Sequence, residues 1–279
     1  MLAGVLARGL ATALVAVAPA IAEAGVSPWL RLDHADVRLL VGGPGDGAER
    51  FAAVELRLDP GTLTYWRQPG DAGLPPRFDT TASSNVAAVA VDYPAPTLLD
   101  EDGSQLFGYR DAVAFPMSIT VADPARPATL SIKLDAALCR TLCLPVSATL
   151  ALPLSASTDL EADRVIAAAR AAVPRRVATG EAGPLAVQTV ALPSTSAEAL
   201  DVVVRARGPA TLFTEGPDGW AFPAVSVAPS SQGVATLAVP IVQRPSGALP
   251  AGLPVRLTLV DGAAAVEVAT RVDVKRPSP

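Results

Sequence analysis

Two thiols and one imidazole bound the chemistry open to this chain. Cys139 and Cys143 are its only cysteines and His34 its only histidine among 279 residues. A His-based zinc site, a His-dependent triad and a multi-cysteine cluster are therefore nearly excluded by counting. The cysteines stand in Cys139-Arg140-Thr141-Leu142-Cys143, followed by Leu144-Pro145. On one continuous strand their Cα atoms would lie about 13 Å apart, whereas a disulfide needs roughly 7 Å or less. The three residues between them must turn, so the pair sits where a strand over Leu130–Leu138 ends and the chain folds back. Three readings stay open: a redox-active pair, a structural bridge, or a metal site. A bridge closing so small a ring contributes only about 2 kcal/mol in the loop-entropy model, which makes it a poorly placed staple. Arg140 beside the pair favours thiolate over thiol. Soft Cu(I) is the metal such a pair would take, but beyond the first residue only Met117 and His34 stand ready to help.

The other candidates are weaker. His34, in Leu32-Asp33-His34-Ala35-Asp36, reads as a surface or hydrogen-bonded side chain. Asp100, Glu101 and Asp102 read as a solvated acidic loop, since adjacent acids do not fix the separation that glycoside chemistry requires. A formal net charge of −5 argues against nucleic acid as a partner. No metal or cofactor is called for.

Residues 1–24 read as a secretory leader. Arg8 is the early charge, Leu10 to Ile21 the apolar run, and Ala22-Glu23-Ala24 the cleavage pattern. The run falls short of the roughly 20 residues of a membrane span. The expectation is a soluble protein in an oxidising compartment, the periplasm, where a nearby cysteine pair rests as a disulfide.

From Trp29 to Leu154, apolar residues alternate in short runs: Val37–Val41, Phe51–Leu58, Val86–Val91, Ala112–Thr120, Thr129–Leu134 and Thr149–Leu154. In Phe51–Leu58, Val54, Leu56 and Leu58 face one way while Glu55 and Arg57 face the other, the period of a half-buried strand. Asp59-Pro60-Gly61 and Pro69-Gly70-Asp71 mark loops. The pattern predicts an all-β chain beginning with an antiparallel sandwich. Thr158 and Glu161 form a capping-box pair ahead of Leu160, Val165, Ile166 and Ala169 at helical spacing, closed by Val173-Pro174 and Arg175-Arg176. Strand patterns resume at Leu185–Leu192, Ala199–Ala206, Thr211–Thr214, Ala224–Ala228, Gly233–Val242 and Val255–Val260. Asp261-Gly262 then joins Val255–Val260 to Ala265–Val274 as a hairpin. The division that follows is a leader over 1–24, a sandwich over 25–156 carrying the pair, a helix and linker over 157–184, and a second β-sandwich-like unit over 185–279. That last unit has neither Cys nor His and reads as a packing module.

An ordered set of segments resembles a known family. It comprises Pro60-Gly61, then Thr64-Tyr65-Trp66-Arg67-Gln68-Pro69-Gly70-Asp71-Ala72-Gly73 ending in Pro75-Pro76. Asp100-Glu101-Asp102-Gly103, Gly108-Tyr109-Arg110-Asp111, the strand Ala114–Ile119 and the cysteine pair with Pro145 follow. Over roughly Pro28–Leu154 the chain resembles the N-terminal periplasmic domain of the thiol:disulfide interchange protein DsbD and its copper-tolerance relatives. The resemblance implies an immunoglobulin-like sandwich with a reversible disulfide, in which Cys143 attacks a partner and Cys139 resolves. It implies a cap loop over Asp100–Phe107, with Leu106 or Phe107 shielding the sulfurs. Tyr65 and Trp66 read as core or near-core aromatics, with contact to that loop as the alternative, and Tyr109 and Arg140 are the other supporting candidates. It also implies two partners: a membrane-embedded thiol reductase domain, here on another polypeptide, and periplasmic thioredoxin-like proteins.

The sequence thus points to a periplasmic thiol:disulfide exchange module relaying electrons through Cys139 and Cys143. The rival is a non-catalytic binding or scaffold protein with a structural disulfide. Mass spectrometry of the exported protein is expected to find a chain beginning at or near Gly25; residues 1–20 still attached would overturn the leader.

Overall fold

Val54, Leu56 and Leu58 point inward from one strand while Arg57 is exposed, and this alternation, repeated along the chain, builds the sheets. The computed structural model describes residues 25–43, 47–101, 103–154, 159–193, 198–228, 230, 232–246 and 252–272. The leader, Asp102 and Thr158 lie outside them. The strands in chain order begin with β1 (Leu30–Leu32), β2 (Ala35–Val41), β3 (Glu49–Leu58), β4 (Leu63–Gly70), β5 (Arg77–Asp79) and β6 (Val86–Val91). There follow β7 (Thr97–Glu101), β8 (Ser104–Arg110), β9 (Ala112–Val121), β10 (Thr129–Cys139), β11 (Cys143–Pro153) and the helix α1 (Leu160–Ala171). Beyond it come β12 (Arg175–Arg176), β13 (Ala186–Ala191), β14 (Ala199–Arg205), β15 (Ala210–Glu215), β16 (Val225–Val227), β17 (Val234–Pro240), β18 (Leu253–Asp261) and β19 (Ala264–Val272).

The first eleven strands make two facing sheets. One runs β1-β2-β3-β9-β6; the other runs β11-β10-β4-β8-β7, with β5 also paired to β10. Their inner faces close on Leu39, Leu56, Phe115 and Ile119 from the first sheet and Trp66, Phe107, Leu130 and Ile132 from the second. The later strands form sheets in the orders β12-β19-β18-β15-β16 and β13-β14-β17 around Leu200, Val202, Leu212, Leu257 and Val268. Pairing is antiparallel except where β12 runs parallel to β19. The Asp261-Gly262 hairpin forms, with Asp261 opposite Ala264 and Gly262 at φ +58°, a conformation that costs glycine little.

The helix links the halves and also covers the outer face of the first sheet. Ala162 and Ile166 pack on Leu40 and Ala53, which is why β2 is buried on both faces. Leu160, expected on the apolar stripe, is instead 68% exposed. The expected capping-box pair is also not what starts the helix. Asp159 is the cap: its Oδ1 accepts the N–H groups of Glu161 (2.9 Å) and Ala162 (3.1 Å). The Glu161 carboxylate goes to Arg38 Nη1 at 2.7 Å.

The two β units share side chains. On β15, Leu212 enters the second core, while its neighbour Phe213 turns into the first, where it meets Trp66 and Phe107. Among the described residues no helix is long and apolar enough to cross a membrane. Asp159→Ala leaves two first-turn N–H groups without their acceptor and is expected to lower stability by about 1 kcal/mol in urea unfolding. Asp159→Asn keeps the acceptor and should hold near the parent value.

Candidate functional site

Cys139 ends β10 and Cys143 begins β11, directly opposite each other in the register. They are joined as a disulfide with Cα atoms 4.0 Å apart. Arg140, Thr141 and Leu142 make the turn, in which the Arg140 N–H donates to the Leu142 carbonyl at 3.2 Å. Cross-strand neighbours project from the same face of a sheet, yet their exposure differs. Cys139 is 6% exposed and packs with Leu63, Tyr65, Leu99, Leu106 and Ala137. Cys143 is exposed. The strand order explains the difference: β10 lies between β11 and β4, whereas β11 is the edge of its sheet.

The phenol of Tyr65 reaches both sulfurs, 3.0 Å from Cys139 Sγ and 3.4 Å from Cys143 Sγ. Disulfide sulfurs carry no hydrogen, so the phenol donates. Burial, and then the charge of Glu101, push its pKa above the usual phenol value, which keeps the proton on the oxygen at neutral pH. Tyr65 itself is 2% exposed. Over its ring passes the segment after β4, and there Gly73 has φ +120°; a Cβ at that position would stand 2.2 Å from Tyr65 Cε1. Only glycine lets the backbone lie this close to the ring.

That segment is tied to β8. The Asp71 N–H donates to the Gln105 carbonyl (2.9 Å), and the Gln105 N–H donates to Asp71 Oδ2 (2.8 Å). Between Tyr65 and Gly70 the register of β4 against β8 shifts, so Trp66 to Pro69 bulge away from the ladder. The expected Pro69-Gly70-Asp71 loop therefore begins inside a strand that runs to Gly70.

Charged groups lie near Tyr65 and at the cysteine turn. Glu101 pairs with Arg110. Arg140 leans back over Gly61, its Nε 3.7 Å from where a Cβ there would stand. The carboxyl of Asp59 is held below its usual range chiefly by hydrogen bonding from Arg31, with smaller effects of His34 and Arg140. Among the described residues no group of three or more His, Cys, Asp or Glu is arranged to hold a metal.

Residues 36–155 match the family model described as the N-terminal part of thiol:disulfide interchange protein DsbD. The first sandwich thus resembles the DsbD N-terminal family. Among solved structures, the N-terminal periplasmic domain of ScsB from Proteus mirabilis superimposes with a TM-score of 0.71 at 20% identity, covering 90% of this chain and 100% of that one. Both β units are thus part of the shared fold. The periplasmic chaperone SfaE also matches, at 13% identity over 84% of this chain and 96% of that one, but its TM-score of 0.21 carries no argument. No curated protein matches the chain.

The residues singled out by the DsbD resemblance divide by face. Tyr65 and Leu106 join Cys139 on the outer face. Phe107, the other candidate to shield the sulfurs, points the opposite way because side chains alternate along β8. It lies in the main core, 5.0 Å from Phe213 between ring centroids. Trp66 and Tyr109 are core residues too, and the Tyr109 hydroxyl donates to the Pro94 carbonyl at 2.9 Å. The expected cap loop is a β-hairpin of β7 and β8, with Asp100 paired to Gln105 and Asp100 Oδ1 accepting the Gly103 N–H. Leu99 and Gly73 were missed by sequence reasoning. The Asp102-Gly103 dipeptide between apolar pairs was the signal for the hairpin; nothing local in the sequence marks Gly73 as a contact of Tyr65.

Tyr65→Phe removes the hydroxyl that, among the described residues, meets the sulfurs. In the reduced protein it is expected to raise the pH midpoint of iodoacetamide labelling by about one unit, the worth of a hydrogen bond to a charged acceptor. An unchanged midpoint would show that the hydroxyl does not stabilise the thiolate.

Proposed function

We propose that the chain is a periplasmic thiol:disulfide exchange module, cycling between the Cys139–Cys143 disulfide and the dithiol. The carrying observation is the inequality of the sulfurs under one protonated hydroxyl: Cys143 exposed, Cys139 buried beside it. An attacking sulfur must be reachable by a partner, and a resolving sulfur must be near and protected. The DsbD family match over 36–155 supports the same reading.

In the reduced state the Cys143 thiolate attacks one sulfur of a partner disulfide, and the partner's other sulfur leaves as a thiolate. The Cys139 thiolate then attacks Cys143 Sγ, closing the internal bridge and releasing the partner as a dithiol. Two electrons pass to the partner. A donor dithiol reverses the sequence and recharges the pair. The partners that suit these steps are a membrane-embedded thiol reductase domain as donor and periplasmic thioredoxin-like proteins as acceptors. Tyr65 donates to the developing thiolate, while Leu99 and Leu106 keep water from Cys139. Asp100, Glu101 and Arg110 form the rim beside this apolar patch.

Cys139→Ser is expected to accumulate a mixed disulfide with a thioredoxin-like partner, because nothing remains to resolve it; Cys143→Ser should trap little. Equal trapping, or trapping by Cys143→Ser alone, would refute the assignment of roles. No trapping by either folded variant, together with a reduction potential below about −300 mV, would favour a structural bridge in a non-catalytic scaffold.

A further inference from the structure

The second β unit holds no thiol, yet its contacts converge on the segment that seats Tyr65. Its Ala224 N–H donates to Gln105 Oε1 at 2.9 Å, and Phe213 packs on Phe107, two positions further along β8. The backbone of Gln105 exchanges two hydrogen bonds with Asp71. Two residues on, Gly73 presses on the Tyr65 ring, and the Tyr65 hydroxyl meets both sulfurs. Arg67, on the intervening bulge, is fixed by the same unit. Its Nε and Nη2 reach Glu215 at 3.0 and 2.6 Å, and Nη2 also pairs with Glu267.

We infer that the second β unit sets the reactivity of the cysteine pair by positioning the Tyr65 hydroxyl through Gln105. Gln105 is a positioning residue: it touches neither sulfur. Its side chain bridges the two units, and its backbone holds the strap over the ring. Releasing the Ala224 contact lets the strap and ring shift, which weakens a hydrogen bond that depends steeply on distance and angle. The inference builds on the exchange reading, but its test needs no partner protein.

The experiment measures iodoacetamide labelling of the reduced full chain against pH, with circular dichroism and thermal midpoints as controls on folding. Gln105→Ala is expected to raise the labelling midpoint in the same direction as Tyr65→Phe, by on the order of half a pH unit, since a displaced bond keeps part of its strength. Gln105→Glu retains an acceptor for the Ala224 N–H and should shift the midpoint less than Gln105→Ala does, although its added negative charge by itself acts to raise it. In the Tyr65→Phe background Gln105→Ala should add nothing, because the group it acts through is gone. Neither substitution alters Arg110, Asp59 or Arg140, and Glu101 is unchanged, so a general loss of stability would not give this pattern. Phe213→Leu tests the route a second way and should give a smaller shift of the same sign. An unmoved midpoint in Gln105→Ala, an additive shift in the double variant, or an unmoved midpoint in Tyr65→Phe would each overturn the inference. A shifted profile with no trapping of any partner would unseat the exchange reading and leave this one standing.

Discussion

One sheet edge governs the chemistry available to this protein. A three-residue turn pairs Cys139 with Cys143, and cross-strand pairing alone would make the sulfurs equivalent. Their strands are not equivalent. β10 has neighbours on both sides, so Cys139 is enclosed by Leu63 and Tyr65 from β4 and by Leu99 and Leu106 beyond. β11 has a neighbour on one side only, so Cys143 begins an edge and meets solvent. Thiol exchange requires one sulfur that a partner can approach in line and another withheld from it. The sheet order supplies that difference without any specialised loop.

The cost of this arrangement falls on β4 and β8, which must serve two faces. Leu63 and Tyr65 line the sulfur side of β4, while Trp66 lies in the sandwich core. On β8, Leu106 and Phe107 split in the same way. The core side of this pair of strands is completed by Phe213, a side chain that the second unit sends into the first. The sulfur side is completed by the backbone at Gly73. The core face is therefore finished by a segment distant in sequence and the sulfur face by the one that follows β4, and the half-buried Arg67 with Glu215 and Glu267 joins the same region across the halves. Replacing Arg67 would take from Glu215 its ion-pair partner, while Glu267 keeps Arg176 and Arg256 at 3.8 Å, so the cluster fixes a geometry more surely than it adds stability.

These double duties decide what was legible in the sequence. Where a strand buries one face, the period of two shows, and β3 and the β18–β19 hairpin could be read directly. β4, with four buried residues in succession, and β8, with Leu106 to Tyr109 all buried, display no alternation. Their residues were recognisable as a motif but not as strands. The cysteine turn was legible because the length of three residues is a geometric constraint. The facing of Phe107 was not, since only the register of β8 determines which of two adjacent apolar residues meets the sulfurs. The helix cap was displaced by one position because both Thr158 and Asp159 are competent caps, and the contact of Glu161 with Arg38 lies on a different element.

The same geometry bears on why a disulfide stands here at all. β10 and β11 are in register over eleven residue pairs, from Thr129 with Pro153 to Cys139 with Cys143. The backbone pairing of the hairpin thus runs right up to the cysteines, and the bond closes a ring whose entropic worth is about 2 kcal/mol at most. A staple would do more between distant strands, for instance across the contact of the two β units, where the chain instead uses aromatic rings and an ion triad. A bond that adds little to a finished hairpin can be opened without unfolding it. Opening and closing with the fold intact is what an electron carrier requires, and the tip of a fully paired hairpin is where the sheet permits it.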